Sequence, residues 1–172
     1  MDRGGGVFQL IVMRILVVYY SLTGNIKLLA EAIAAELGAD LQELRPLKDQ
    51  RPGGIGKYFW GGGQVIMKEL PELYPLEKNP VDYDLVIIGT PVWAWTFAPT
   101  LRAFFAQTKL VGKKVALFCS SGGSSGKTLA DMRAALPSNE FVGEIEFVEP
   151  IRKSAESVAR VREWARGLMN KN

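Results

Sequence analysis

The chain has 172 residues with 21 basic and 18 acidic side chains, a formal net charge of +3. This length fits one domain with one core, and the small basic excess forms no cluster that would indicate nucleic acid as a partner. There is no histidine, and Cys119 is the one cysteine. These counts exclude a Ser-His-Asp triad, a Cys-His pair, a histidine-ligated metal site and an internal disulfide.

The start of the chain precedes the predicted domain. Residues 1–12 lie before a second methionine, Met13, and we interpret them as a short N-terminal extension to a single domain over residues 13–172. The apolar stretch from Val7 to Tyr20 is interrupted by polar residues and is too short to span a bilayer. It also lacks the small-residue cleavage site of a signal peptide. We therefore expect no membrane association and a cytoplasmic location.

The first predicted unit is a strand, a helix and a second strand. Arg14–Tyr20 is a continuous apolar, β-branched run, typical of a strand that is buried on both faces. From Ile26 to Leu37 apolar residues recur at helical spacing, and Gly38 ends the predicted helix. Leu41–Leu44 is a short, half-polar run that suits an edge strand.

The stretch from Pro46 to Asn79 is the least regular part of the sequence. It is rich in glycine and contains the aromatic run Tyr58-Phe-Trp60, followed by Gln64–Leu70, which we predict as a short helix. We interpret the stretch as one long excursion and not as a second domain. Its aromatic residues are candidates for a substrate pocket, a dimer surface or plain core.

The rest of the chain alternates strands and helices. The predicted strands are Asp84–Gly89, Lys114–Cys119 and Phe141–Val148. The predicted helices follow Pro99, carry the apolar stripe Leu129, Met132 and Leu136, and begin at Ser154 as an N-cap. This alternation predicts an α/β fold, a single-domain doubly wound sheet of five parallel strands in the order 2-1-3-4-5.

Three loops leave the carboxyl ends of predicted strands, where an open parallel sheet binds its ligands. They span Ser21–Asn25, Thr90–Thr96 and Ser120–Thr128. The first loop precedes a helix, and its hydroxyls, its free backbone N–H groups and the helix dipole all favour an anion such as a phosphate. The same residue types are also common in ordinary helix caps, so both interpretations stay open on the residues alone.

The three loops together resemble those of a known family. Ser21-Leu-Thr-Gly-Asn-Ile26 resembles the phosphate loop of flavodoxins, whose pattern is Ser/Thr-x-Thr-Gly-Asn-Thr. Thr90-Pro-Val-Trp-Ala-Trp95 and Cys119-Ser-Ser-Gly-Gly123 are similar to the second and third flavin loops of that family. The resemblance covers Met13 to about Met169. Ile26 departs from the pattern, because a threonine often stands there and would add a hydroxyl.

The resemblance implies that the chain binds FMN non-covalently. The first loop would hold the phosphate and the other two would flank the isoalloxazine, with Trp93 as a ring contact unless it packs on the sheet. The implied cofactor-binding residues are Ser21, Leu22, Thr23, Gly24, Asn25, Ile26, Thr90, Pro91, Val92, Trp93, Ala94, Ser120, Ser121, Gly122 and Gly123. No residue is predicted to be catalytic, and none is predicted to bind a metal.

The third loop also nearly matches a triphosphate-binding loop. Ser121-Gly-Gly-Ser-Ser-Gly-Lys-Thr128 lies between a predicted strand and a helix, but a serine replaces the first glycine of G-x-x-x-x-G-K-[ST]. No later apolar strand ends in an aspartate that would hold Mg²⁺, so a P-loop protein is the less favoured hypothesis. A dinucleotide fold is disfavoured too, because Gly24 is the first loop's only glycine.

Two redox functions remain open under the flavin interpretation. The first is electron transfer between larger enzymes, with a redox protein as partner. The alternative is an NAD(P)H-dependent FMN oxidoreductase that acts on a quinone or a similar small acceptor, and a flavin-binding sensor without turnover is a third possibility. Carrier flavodoxins are typically acidic, whereas this chain has a pI near 9.0, which weakens the carrier interpretation or implies an acidic partner. A homodimer is left open.

Overall fold

A computed structural model describes residues 12–48 and 70–170 of the chain. The predicted N-terminal extension up to residue 11 lies outside the described residues. So do the aromatic run Tyr58-Phe-Trp60 and all but the last residue of the helix predicted at Gln64–Leu70.

One mixed sheet forms the centre of the fold. Its strands are β1 (Ile15–Tyr19), β2 (Asp40–Glu43), β3 (Leu85–Trp93), β4 (Thr96–Phe97), β5 (Lys114–Ser121) and β6 (Glu140–Val148). The order is β2-β1-β3-β5-β6, all parallel, and the two-residue β4 pairs antiparallel with β3. Counted without β4, this is the predicted order 2-1-3-4-5, which is confirmed.

Helices cover both faces of the sheet. They are α1 (Asn25–Leu37), α2 (Pro99–Gln107), α3 (Thr128–Ala135) and α4 (Ser154–Met169). Helices α1 and α4 pack on one face, and α2 and α3 pack on the other. A 3₁₀ turn, Pro150–Lys153, runs directly into α4, so Lys153 is the N-cap and the prediction of Ser154 as the cap was wrong. In the described ranges no helix is long and apolar enough to cross a membrane.

The apolar runs of the central strands contribute to two hydrophobic cores, one on each face of the sheet. In β1, Val17 and Tyr19 face the core under α1 and α4, whereas Leu16 and Val18 face the core under α2 and α3. All five residues of β1 are buried, because helices cover both sides of the strand. At the edge, β2 buries only Gln42, which explains its half-polar sequence.

The two ends of the irregular excursion lie against each other. The backbone N–H of Leu47 donates to the carbonyl of Glu72, and the N–H of Tyr74 donates to the carbonyl of Arg45, both at 2.8 Å. The described residues on the two sides of the excursion therefore meet beside β2. This short stem sits at the edge of the sheet and joins no further strand among the described residues.

Candidate functional site

The three predicted loops meet at one edge of the sheet. Strands β1, β3 and β5 are neighbours, so their carboxyl ends lie side by side. The register pairs Tyr19 with Gly89 and Thr90 with Cys119. One further bond ties the first two ends together, because the N–H of Tyr20 donates to the carbonyl of Gly89 at 3.2 Å.

The first loop presents backbone donors at the start of α1. The five N–H groups from Leu22 to Ile26 donate to no other described residue. Ser21 Oγ closes the loop by accepting the N–H of Lys27 at 3.1 Å, and Gly24 has a φ of +88°, which suits a residue without Cβ. Unpaired N–H groups at the positive end of a helix dipole form an anion-binding cradle. The predicted phosphate loop therefore has the geometry to hold a phosphate.

Two side chains of this loop make contacts within the protein. The Asn25 side-chain amide donates to Thr23 Oγ1 at 2.9 Å, and its Oδ1 accepts the backbone N–H of Ile151 at 3.0 Å. Asn25 thus shapes the loop, and its backbone N–H remains for a ligand. Ile26 is 1 % exposed and packs in the core under α1 and α4, so its side chain does not face the loop.

The second predicted loop is a β-hairpin, so its predicted start at Thr90 was wrong. Strand β3 continues to Trp93, Ala94 and Trp95 form the turn, and Thr96 pairs back with Trp93. Both turn residues have positive φ, 47° and 63°, as expected for a two-residue type I′ hairpin, which favours asparagine and glycine. A residue other than glycine, asparagine or aspartate in the left-handed region of φ and ψ costs about 1–3 kcal/mol of stability. Contacts elsewhere in the protein must offset this cost for Ala94 and Trp95.

Thr90 anchors the base of this hairpin. Its side chain is fully buried, and Oγ1 accepts the N–H of Ala98 at 3.1 Å while its O–H donates to the carbonyl of Pro91 at 2.9 Å. The hydroxyl therefore joins β3 to the start of α2. It supports the hairpin, and at Thr90 itself only the backbone remains for contact with a ligand.

The two tryptophans of the hairpin have different environments. Trp93 is partly buried and packs edge-on against Tyr20, with ring centroids 6.2 Å apart and an interplanar angle of 73°. Trp95 is 71 % exposed. Trp93 thus lies between the core and the carboxyl edge of the sheet, and its contact with a flavin stays a prediction.

The third loop begins later than predicted and leaves open space. Ser120 and Ser121 belong to the end of β5, and the loop itself starts at Gly122. A Cβ on Gly122 or Gly123 would meet nothing within 4 Å. A flat ligand has room to approach the backbone here.

The same loop does not have the features of a triphosphate site. The Thr128 hydroxyl is fully buried and donates to the carbonyl of Ser125 at 2.6 Å. In a P-loop this hydroxyl would face Mg²⁺. The buried hydroxyl removes the metal-binding contribution that the motif requires.

A fourth segment at this edge was missed by the sequence analysis. The N–H of Glu149 donates to the carbonyl of Ser121 at 2.9 Å, and the side chain of Ile151 lies 3.5 Å from a Cβ built on Gly24. The turn after β6 therefore braces both the first and the third loop. Its sequence carries no binding pattern, and it reaches the first loop only because α4 packs beside α1.

Cys119 lies at the end of β5, directly below the third loop. Burial, together with the smaller effect of the nearby carboxylates of Glu146 and Glu144, raises the pKa of its thiol from the ordinary value of 9.0 to about 12. The thiolate is the nucleophilic form, so the native thiol is unreactive at neutral pH. This agrees with a packing role and gives Cys119 no catalytic one.

We expect Cys119 to react with Ellman's reagent at pH 8 at least about 100-fold more slowly in the native protein than in urea. The unfolded thiol ionises first as the pH rises, so this group contributes stability that is present below pH 9.0 and lost toward about pH 12. The Cys119→Ala variant should lose less stability over that alkaline window. Rapid native labelling would contradict the burial of the thiol.

The fold and the site together define an α/β protein with an anion-binding cradle and open loops beyond the carboxyl ends of its parallel strands. The flavodoxin family model matches residues 14–159. The chain therefore belongs to the flavodoxin family, and the resemblance found in the sequence is confirmed.

Solved structures show the same fold. A flavoprotein from Lactobacillus acidophilus in complex with FMN is 25 % identical, with 83 % of this chain and 99 % of that chain covered and a TM-score of 0.66. A flavoprotein from Bacteroides uniformis reaches a TM-score of 0.73 at 20 % identity, covering 90 % of this chain and 98 % of its own. The second likeness concerns the fold alone.

A curated relative carries a more specific name. NAD(P)H dehydrogenase (quinone) 3 from Rhizobium meliloti is 30 % identical over 122 residues, which are 66 % of this chain and 55 % of that protein. The chain thus spans about half the length of this relative.

Proposed function

We propose that this chain is a redox protein that binds FMN non-covalently at the carboxyl edge of its sheet. The observation that carries the proposal is the row of N–H groups from Leu22 to Ile26 at the start of α1, which donate to no other described residue and suit a phosphate ester. The open backbone at Gly122 and Gly123 lies at the same edge and suits a flat ring. Membership of the flavodoxin family and the FMN complex of the Lactobacillus relative support FMN as the cofactor.

The three loops would contact different parts of FMN. Ser21–Ile26 would hold the phosphate through backbone N–H groups, while Thr90–Ala94 and Ser120–Gly123 would flank the ring from two sides. Bound FMN supplies the electron-transfer chemistry, and the chain binds, orients and shields it. We place this activity in one domain over residues 13–172 and in the cytoplasm.

Titration of the FMN-free protein tests the phosphate loop. We expect FMN to bind at least about tenfold more tightly than riboflavin, because charge-assisted hydrogen bonds to a phosphate are among the strong ones. The Gly24→Ala variant should reduce this preference, because an alanine at a φ of +88° disturbs the cradle.

Gly38→Ala is the matched control for this titration. It places an alanine at a φ of +61° at the other end of α1, where a Cβ meets nothing within 4 Å. It should lower stability in a similar way and leave the ratio of the two affinities unchanged. Equal binding of FMN and riboflavin by the unaltered protein would overturn the assignment.

A second candidate function is an NAD(P)H-dependent reduction of a quinone or a similar small acceptor. The similarity to the Rhizobium quinone dehydrogenase favours this function. The pI near 9.0 supports it too, because electron-carrier flavodoxins are typically acidic.

Anaerobic addition of NADPH or NADH to the FMN-loaded protein separates the two functions. For the enzyme we expect the flavin absorbance to bleach without any other protein and to return when a quinone is added. For the carrier we expect no bleaching until a reductase or a chemical reductant is supplied.

A further inference from the structure

A strained residue lies in the turn after β6, at the carboxyl edge of the sheet. Outside the hairpin, Glu149 is the only described non-glycine residue with positive φ, at φ 44° and ψ 56°. This left-handed region favours glycine, asparagine and aspartate. The Glu149 carboxylate pairs with Arg152 at 3.0 Å, but residues three apart also meet on ordinary helical backbone. The conformation is therefore maintained by other contacts of the turn.

Both backbone donors of this turn hold loops of the predicted FMN site. The N–H of Glu149 donates to the carbonyl of Ser121, at the end of β5, at 2.9 Å. The N–H of Ile151 donates to Asn25 Oδ1, at the start of α1, at 3.0 Å. Pro150 between them is buried and has no N–H. The left-handed residue thus lies where the chain passes from one loop to the other.

The bond to Asn25 connects the turn with the phosphate cradle. With Oδ1 bonded to Ile151, the Asn25 amide donates to Thr23 Oγ1 at 2.9 Å. The Ile151 side chain lies 3.5 Å from a Cβ built on Gly24. The N–H groups from Leu22 to Ile26 donate to no other described residue, so no hydrogen bond of their own within the described protein orients them. Their direction depends on how the loop is held from outside.

We propose that the turn after β6 sets the shape of the phosphate cradle, with Asn25 and Glu149 as positioning residues for the phosphate ester. The left-handed backbone of Glu149 directs the two N–H groups of the turn, and the Asn25 side chain connects the turn to the cradle. This inference rests on the proposed function, because it concerns the same FMN phosphate. It gives a role in ligand preference to a segment that lies 126 residues from Asn25 in the sequence.

Titration of the FMN-free protein with FMN and with riboflavin tests the role of Asn25. The readout is the ratio of the two affinities, because a general loss of stability weakens both ligands alike. Asn25→Ala should reduce this ratio by about fivefold, the size expected for one hydrogen bond. Asn139→Ala is the matched control. The Asn139 side chain accepts the N–H of Lys113 at 3.0 Å and donates to the carbonyl of Leu110 at 2.8 Å, at the amino ends of β5 and β6. This control should lower the melting temperature and leave the ratio unchanged.

Two substitutions of Glu149 test the backbone conformation itself. Glu149→Asn and Glu149→Val both remove the ion pair with Arg152. Asparagine adopts the left-handed region readily, whereas β-branched valine does not. We therefore expect Glu149→Asn to keep the preference for FMN and Glu149→Val to reduce it by about fivefold, through the loss of a hydrogen bond. Circular dichroism of each variant checks that it is folded.

An unchanged ratio in either Asn25→Ala or Glu149→Val would overturn the role of the turn, while a preference of the unaltered protein for FMN would still support the proposed function. A fall of similar size in Asn139→Ala would also overturn it, because the ratio would then report stability. Equal losses in the two Glu149 variants would assign the effect to the carboxylate and contradict the role of the backbone. If the unaltered protein binds FMN and riboflavin equally, the proposed function itself is wrong, and this inference is wrong with it.

Discussion

Gly89→Ala is expected to lower the melting temperature by about 6–12 °C, through an overpacking cost of about 3 kcal/mol at about 2–4 °C per kcal/mol. A Cβ on Gly89 would lie 2.1 Å from Phe118 Cζ and within 2.6 Å of two further ring atoms. Gly89 and Phe118 are partners in the β3–β5 register, and the phenyl ring is fully buried. The ring therefore cannot avoid the added Cβ by moving into solvent.

Thermal unfolding followed by circular dichroism measures this effect. Gly167→Ala is the control, since its Cβ meets nothing within 4 Å and alanine in a helix interior gains about 0.5–1 kcal/mol over glycine. Combining Gly89→Ala with Phe118→Leu should cost less than the sum of the two single changes, because the smaller side chain makes room. An unchanged melting temperature in Gly89→Ala would contradict the close packing of β3 on β5.

Trp93→Ala is expected to weaken FMN binding by about 5- to 150-fold, the effect of losing about 1–3 kcal/mol of aromatic stacking. The ring is partly buried against Tyr20 and lies next to the carboxyl edge of the sheet. We expect a smaller effect on the FMN-free protein, because the indole is not part of the fully buried core. FMN affinity and the melting temperature of the FMN-free form should be measured on the same variant.

Trp164→Ala provides the matched control. Trp164 is a partly buried tryptophan on α4, packed against the core under α1 and α4. Its loss should lower stability and leave FMN affinity unchanged. If Trp93→Ala behaves in the same way, then Trp93 is a packing residue and the flavin-stacking role assigned to it is wrong.

The sequence predicted the fold because the relevant patterns are local. Residues 15–20 and 115–119 are buried within the sheet, and only central parallel strands require such continuous apolar runs. Because these strands alternate with amphipathic helices along the chain, few topologies are possible, and the order of the five parallel strands followed from them.

The extent of the hairpin could not be predicted from local patterns. Thr90-Pro-Val-Trp-Ala-Trp95 has no Asn-Gly or Gly-rich turn signal, so it read as a loop. The turn is held by contacts from elsewhere: Thr90 Oγ1 accepts the N–H of Ala98, and Lys127 donates to the carbonyl of Trp95. These partners are distant in sequence, and no local preference favours the positive φ of Ala94 and Trp95.

The sequence by itself thus determined the strand order and the family, and it predicted an anion-binding site at the start of α1, because each depends on apolar periodicity or on residues next to one another. The tertiary structure decided which groups remain available at the site. It turned the Asn25 side chain toward Ile151, buried the Thr128 hydroxyl and brought the turn after β6 to the first loop. The contacts of Asn25 and of the turn after β6 depend on how α1 and α4 pack and on how loops meet at the sheet edge, which short-range sequence patterns do not encode.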